Sequence, residues 1–236
     1  LVGCYEVTFP KYNNGTTVKF NIVDVKCAEE SAMAVTSYFF NIDGSVNENA
    51  SKYLSGIVLS LDIGASTTDL AIVKNGKFLD KSGRTYRTGG NNTRDEIIEY
   101  VQTTEGFKLP PDAANEAMAE GRLKFGNTYK DISNAVNDAK RSTAESLITD
   151  MDEYFSRVKV PLQSINAIIV SGGGSMRSQY IDDNKEVKYT SKPMSDFITE
   201  AMKDRCDGIV VESHSDNPRF ANIHGLFIRA QFDANR

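Results

Sequence analysis

The chain has 236 residues, of which 40% are hydrophobic and 25% charged, the composition of a soluble globular protein with room for one or two domains. A formal net charge of −5 excludes a sequence-wide attraction to nucleic acid or to an anionic membrane. No apolar run approaches the roughly 18 residues of a membrane span, and Cys4, Cys27 and Cys206, odd in number and widely spaced, fit reduced thiols in a cytoplasm. Neither these cysteines nor His214 and His224 have the spacing of a zinc site.

The sequence opens at Leu1 in strand-like residues without a methionine, and an upstream portion is expected. Residues 5–9 and 17–22 alternate apolar and polar around Asn13-Asn14-Gly15, which predicts a hairpin, with 23–25 prolonging its second strand. Glu29 and Glu30 open a predicted helix through Met33, Val35 and the aromatic run at 38–40. A polar connector leads to an apolar strand at 57–61, a loop, and a second strand at 70–73. Asn75-Gly76 then turns the chain into residues 77–80, giving a meander. Beyond a loop at 88–92, Thr93 and Glu96 read as a capping box for a helix carrying Ile97, Ile98 and Val101. Pro110-Pro111 breaks the chain before a short helix over about 113–123.

Apolar residues recur at three- and four-residue steps from 131 to 158, the clearest helix, and its stripe reads as core. A fully apolar strand at 165–170 runs directly into Ser171-Gly172-Gly173-Gly174-Ser175 and an expected helix start. The remainder reads as a strand at 187–189, a helix at 193–203, a strand at 208–211 and a last helix from about 219.

The chemistry concentrates in LDIGASTTDLAIV, residues 61–73. Asp62 stands at a strand end, Gly64 permits a tight turn or a close approach, and Ser66, Thr67 and Thr68 supply the hydroxyl and amide donors that cradle phosphate. A carboxylate beside a phosphate requires an intervening cation, so Asp62 points to Mg2+, directly or through water. A polar hairpin turn is the alternative that needs no ligand. Likewise Gly172–Ser175 is either a flexible turn or the strand–glycine–helix geometry that meets a nucleotide. Glu30 at a helix start is either a residue placed there by the helix dipole, the commoner case, or a catalytic carboxylate. Lys124 reads as a solvated lysine and His224 as a core histidine, while Asp69 is expected to brace the loop by accepting backbone hydrogen bonds. No serine–histidine or cysteine–histidine pair offers itself as a nucleophile.

Three glycine-bearing motifs stand in order: DIGASTTD, IIVSGGGS and FANIHGLF. The series resembles the actin, Hsp70 and sugar kinase superfamily of ATPases, and within it the bacterial plasmid-partition actins of the ParM/StbA type, to which VKFNIVDVKCAEESAMAV is also similar. The resemblance implies an α/β, actin-like (RNase H-like) fold: a mixed sheet flanked by helices, chiefly the second domain of a two-domain ATPase. Residues 1–27 would be edge strands of the first domain, and 28–236 the second domain, with a helical subdomain at about 91–158. The family's first phosphate loop, a D-x-G-x-x-x-x-K hairpin, is not in this sequence.

Carried over by position, the resemblance implies that Asp62 holds Mg2+ through water and that Gly64, Ala65, Ser66, Thr67 and Thr68 embrace the phosphates. Glu30 would polarise the lytic water, although the family's proline before that position is Glu29 here, which leaves the register between the two open. Gly172, Gly173, Gly174 and Ser175 would meet the ribose and adenine, Gly90 the ribose, and Lys124, on the middle helix, the base. The implied function is hydrolysis of ATP, or GTP, coupled to assembly into filaments that segregate plasmid or phage DNA through a DNA-binding adaptor in the cytoplasm. Direct nucleic-acid or membrane binding is not expected. A small-molecule kinase of the same superfamily and a non-hydrolysing ATP-binding scaffold are the alternatives.

Overall fold

Strict alternation along β3 (Ile57–Ile63) sets the architecture: Leu59, Leu61 and Ile63 point to one face of a sheet, and Val58, Ser60 and Asp62 to the other. The computed structural model describes residues 1–10, 15–48, 50–203, 205–206, 209–214 and 217–234. Asn13, Asn14 and Gly208, which belong to expected turn and strand residues, lie outside them.

Before β3 come β1 (Gly3–Thr8) and β2 (Thr17–Ile22), an antiparallel pair forming a small sheet of its own with almost every side chain exposed, and α1 (Glu30–Phe39). β4 (Thr68–Lys74) pairs antiparallel with β3, and Asn75 and Gly76, both at positive φ (51° and 69°), turn it into β5 (Lys77–Phe78). β6 (Arg84–Tyr86) pairs with the start of β4. The chain then leaves the sheet through α2 (Gly90–Glu105), α3 (Pro111–Glu120), the hairpin of β7 (Arg122–Phe125) and β8 (Thr128–Asp131), and the long α4 (Ser133–Val158). It returns as β9 (Ala167–Ser171), parallel to β3. A second excursion, the hairpin of β10 (Gln179–Ile181) and β11 (Val187–Tyr189) followed by α5 (Met194–Met202), ends in β12 (Val210–Ser213), parallel to β9. The helix α6 (Ala221–Ala234) closes the described chain. The central sheet therefore has the order β12-β9-β3-β4-β5.

Three apolar clusters hold these layers. Leu61, Leu70 and Ile168 meet Leu147, Met151 and Tyr154 of α4 and Phe197 of α5 on one face. Val58, Val73 and Ile169 meet Val35 and Phe39 of α1 on the other. The excursion has a cluster of its own, in which Ile97, Val101, Ala117, Leu123 and Val136 join α2, α3, β7 and the first half of α4.

Several expected elements differ. The short helix stops at Glu120, because Gly121 takes the left-handed conformation (φ 69°), and β7 takes up Arg122 and Leu123, the last residues expected in that helix. The helix expected from Thr93 begins at Gly90: the Asn92 side chain accepts the Gly89 N–H at 2.9 Å, and Thr93 is buried with its hydroxyl 2.9 Å from that of Thr143. After the triple glycine there is one 3-10 turn over Gly173–Ser175 and no longer helix. The Met176 carbonyl accepts from Lys140 Nζ at 2.8 Å, and the chain continues extended.

Candidate nucleotide site

On the polar side of β3, Ser60 donates to the Ser31 carbonyl at 2.7 Å, which seats the strand beneath the start of α1. Two residues further along the same face, Asp62 is 8% exposed at the strand end. Ser171 lies opposite it in register on β9 and donates to Asp62 Oδ1 at 3.1 Å. Asn222, in the first turn of α6, donates through Nδ2 to Asp62 Oδ2 at 2.7 Å and to Glu30 Oε1 at 3.1 Å. One amide thus joins two carboxylates that are distant in sequence.

The crossing of α1 and α6 makes this contact possible. A Cβ on Gly225 would lie 1.8 Å from the Met33 carbonyl, so only glycine allows the two backbones to approach so closely. Glu29 turns elsewhere, since a Cβ on Gly83 would meet its Oε1 at 2.4 Å. Glu30 is therefore the acidic residue that the fold brings to Asp62.

The loop after Asp62 is docked on the N-terminus of α2. Gly64 N–H donates to Thr67 O at 2.8 Å, while Gly90 N–H and Asn91 N–H donate to Gly64 O and Ala65 O at 3.0 and 2.7 Å. These carbonyls satisfy amides that a helix start leaves without partners. Ala65 and Ser66 are exposed, and Ser66 Oγ accepts from Asn91 Nδ2 at 2.9 Å; Thr67 is half-buried. Gly172, at φ 86°, packs its α-carbon over the same turn: a Cβ there would sit 2.3 Å from Ile63 O and 2.5 Å from Asp62 Oδ1. On Gly174 it would sit 2.8 Å from Gly64 O. The two glycine loops are fitted to each other.

Beside them opens a cavity of about 690 Å3, lined by Ala65 and Gly90, by Gly173 and Gly174, and by Glu116 of α3 and Arg177. Its volume suits a nucleotide-sized ligand, within the roughly 300–1,000 Å3 of small-molecule sites. Lys140 also lines it, and burial, then the Arg177 charge, pushes its ammonium down to about 7.

Among the described residues, no group of three or more His, Cys, Asp or Glu could cage a metal. The donors at Asp62 nonetheless fit hydrated Mg2+, which keeps most of its waters and takes one or two carboxylates. Asp62 and Glu30 supply hard oxygens, and Asn222 Oδ1 is buried with no hydrogen-bond partner among the described residues.

The profile of the family described as archaeal actin homologue MreB-like, C-terminal, matches residues 60–181, just over half of the chain. The chain belongs to this actin-homologue family. The chain matches no curated protein. Its fold is that of solved actin homologues at low identity. The archaeal actin homolog Ta0583 superposes with a TM-score of 0.66 at 17% identity, over 94% of this chain and 59% of that one. A 15-stranded ParM filament from Clostridium botulinum gives 0.62 at 18%, over 97% and 60%. MreB 5 of Spiroplasma citri bound to AMPPNP gives 0.60 at 17%, over 88% and 59%. The chain thus spans about three fifths of the length of these relatives.

In this actin homologue, Glu30, Asp62, Gly64, Gly172 and Gly174 come together as one constellation, and Ala65, Gly90 and Gly173 line the adjoining cavity. Five expectations are corrected. Thr68 is fully buried and donates to Thr88 O at 2.6 Å, so its hydroxyl is closed to a phosphate. Ser175 is buried and donates to Gly172 O at 2.7 Å, so it shapes the glycine loop from within. Lys124 is exposed on strand β7 rather than on a helix, and lines a separate cleft with Leu109 and Tyr129. Asp69 accepts from the Thr85 hydroxyl at 2.5 Å, a side chain rather than backbone. His224 is exposed as well. The more enclosed histidine is His214, half-buried and 2.7 Å from Ser37 Oγ, and desolvation, reinforced by His224, lowers it to about 4. Asn222 was missed: it lies inside FANIHGLF, and its only local signal is Gly225, three residues on.

No helix among the described residues is long and apolar enough to cross a membrane.

Proposed function

We propose that this chain carries the phosphate- and nucleoside-binding half of an actin-like ATPase whose nucleotide state governs assembly into filaments. The observation that carries the reading is the Glu30–Asn222–Asp62 bridge, held at a strand end beside two interlocked glycine loops and a cavity of nucleotide size. ATP is the ligand proposed, with GTP as the alternative. Ala65, Ser66 and Thr67 would hold the phosphates through backbone amides and hydroxyl protons, with Gly64 shaping the turn through its own N–H bond to Thr67 O, and Gly90, Gly173 and Gly174 would let the ribose and base approach the backbone.

Phosphoryl transfer to water asks for positioned phosphates and an oriented nucleophile more than for covalent help. Asp62, with Glu30 and Asn222 Oδ1, would hold hydrated Mg2+, which supplies charge neutralisation of the phosphates. Glu30, exposed at the first turn of α1, is the carboxylate that would accept a hydrogen bond from the attacking water and orient it. Asn222 keeps Glu30 and Asp62 in a fixed relation. The ribbon β1–β2 is assigned to the edge of a first domain and the remainder to the second domain. Filament growth would serve DNA segregation through a DNA-binding adaptor, in the cytoplasm.

Binding of ATP to the full chain with and without Mg2+, phosphate release, and pelleting after nucleotide addition test the proposal together. Mg2+-dependent binding lost in Asp62→Ala, with nucleotide-dependent pelleting, is expected. A folded chain that neither binds nor pellets would overturn the proposal, and ADP formation with transfer of phosphate onto an added sugar or acid, without release of free phosphate, would favour a kinase.

A further inference from the structure

Lys140 lies in the N-terminal third of α4 and is 3% exposed, an expensive place for an ammonium. Its three N–H bonds reach three acceptors: Met176 O at 2.8 Å, Ser191 Oγ at 2.8 Å and Lys192 O at 3.1 Å. Ser191 Oγ is 2.8 Å from Ser178 Oγ, against 3.3 Å to Lys192 O, and it accepts the Ser178 N–H at 2.8 Å. Ser178 Oγ in turn donates to Met118 O on α3 at 2.6 Å. The two ends fix the direction of this chain, because an ammonium can only donate and a carbonyl can only accept. Each hydroxyl proton therefore points from α4 toward α3.

The relay connects four pieces of the molecule: α4, the segment following the triple glycine, the β11–α5 connection and α3. Met118, Lys140, Met176 and Ser178 all line the cavity, which Ala65 and Gly173 line from the side of the Asp62 loop. We infer that Lys140 is a positioning residue for the nucleoside portion of the ligand, fixing the wall made by Met118 and Met176 through the Ser191–Ser178 relay. This rests on the nucleotide reading above, and adds which buried group shapes the base-and-ribose end.

Other charges around Lys140 are accounted for. Arg177 acts on it from the segment after the glycine loop. Lys192 turns its own ammonium to Glu200 at 2.9 Å, and Arg141, next on α4, pairs with Asp138 at 2.8 Å. Glu116 and Arg219 line the same cavity from α3 and from the turn before α6.

The test is calorimetric titration of the full chain, wild type and the variants Lys140→Met and Ser191→Ala, with Mg·ATP and separately with tripolyphosphate. Lys140→Met should weaken ATP about tenfold or more, the scale of losing hydrogen bonds from a charged group, and leave tripolyphosphate within about twofold. Ser191→Ala should show the same split at a smaller size, and it carries the test if Lys140→Met does not fold. Between pH 6 and 8.5, a range of about one unit or more on either side of the shifted Lys140, wild-type affinity for ATP relative to tripolyphosphate should fall, and Lys140→Met should be flat. Equal losses for both ligands, or none, would overturn the inference while leaving nucleotide binding intact. A wild-type chain that binds no ATP overturns the nucleotide reading and this inference with it.

Discussion

The two faces of the central sheet differ although the same strands build both. Toward α4 and α5, β3 presents Leu59, Leu61 and Ile63 to a cluster of apolar side chains. Toward α1 it presents Val58, then Ser60, then Asp62, so this face passes from core to hydrogen-bonded polar group to carboxylate within one strand. The apolar face holds the layers together by area removed from water. The mixed face depends on directed contacts, namely Ser60 to Ser31, Ser171 and Asn222 to Asp62, and the glycine crossing of α1 and α6. The period of two thus separates stability from chemistry.

This separation can be broken from either side. Leu147→Ala, on α4, should cost about 2–5 kcal/mol in denaturant unfolding, as for other buried leucines, and leave Mg·ATP affinity of the folded chain unchanged. Gly225→Val should cost about 1–3 kcal/mol by overpacking and also weaken Mg·ATP binding, because α6 must retreat from Met33 and take Asn222 with it. An unaltered affinity would uncouple the crossing from the site.

A pH effect of order 2 kcal/mol belongs to the mixed face. His214, lowered to about 4 in the fold, binds its proton more readily in the unfolded chain, whose value is near 6.5. Stability is therefore lost as pH falls from about 6.5 toward about 4, and His214→Asn should flatten the denaturation midpoint across that window. The smallest stability effect is that of Asn222→Ala, about 1 kcal/mol for its hydrogen bonds. The variant should also gain less melting stability from Mg2+ than wild type, since Asn222 Oδ1 is one of the groups that would hold the metal.

What was legible in the sequence was local. The apolar runs of β3 and β9 and the residues D-I-G-A-S-T-T-D placed Asp62 and both glycine loops, because strand ends and glycine turns are written in neighbouring residues. Which hydroxyl of Ser66, Thr67 and Thr68 turns inward was not, since that depends on where β4 begins; Thr68 is its first residue and faces the interior. Asn222 reaches Glu30 across 192 residues, through a helix crossing that no local pattern encodes. The β7–β8 hairpin was hidden because Leu123 alone of its eight strand residues is buried, leaving no alternation to read. Nothing in the residues near Lys140 marks it as buried; the acceptors of Met176, Ser191 and Lys192 that close around it come from distant segments.

Calorimetric titration of the full chain with ATP, in Mg2+ and in EDTA, for wild type and Asp62→Asn, bears most directly on the function of the mixed face. Wild type should bind ATP more tightly in Mg2+ than in EDTA, and Asp62→Asn should lose that difference while its melting temperature changes little. Equal Mg2+ enhancement in both proteins, or none in either, would contradict the assignment of Asp62 as the residue that holds the metal.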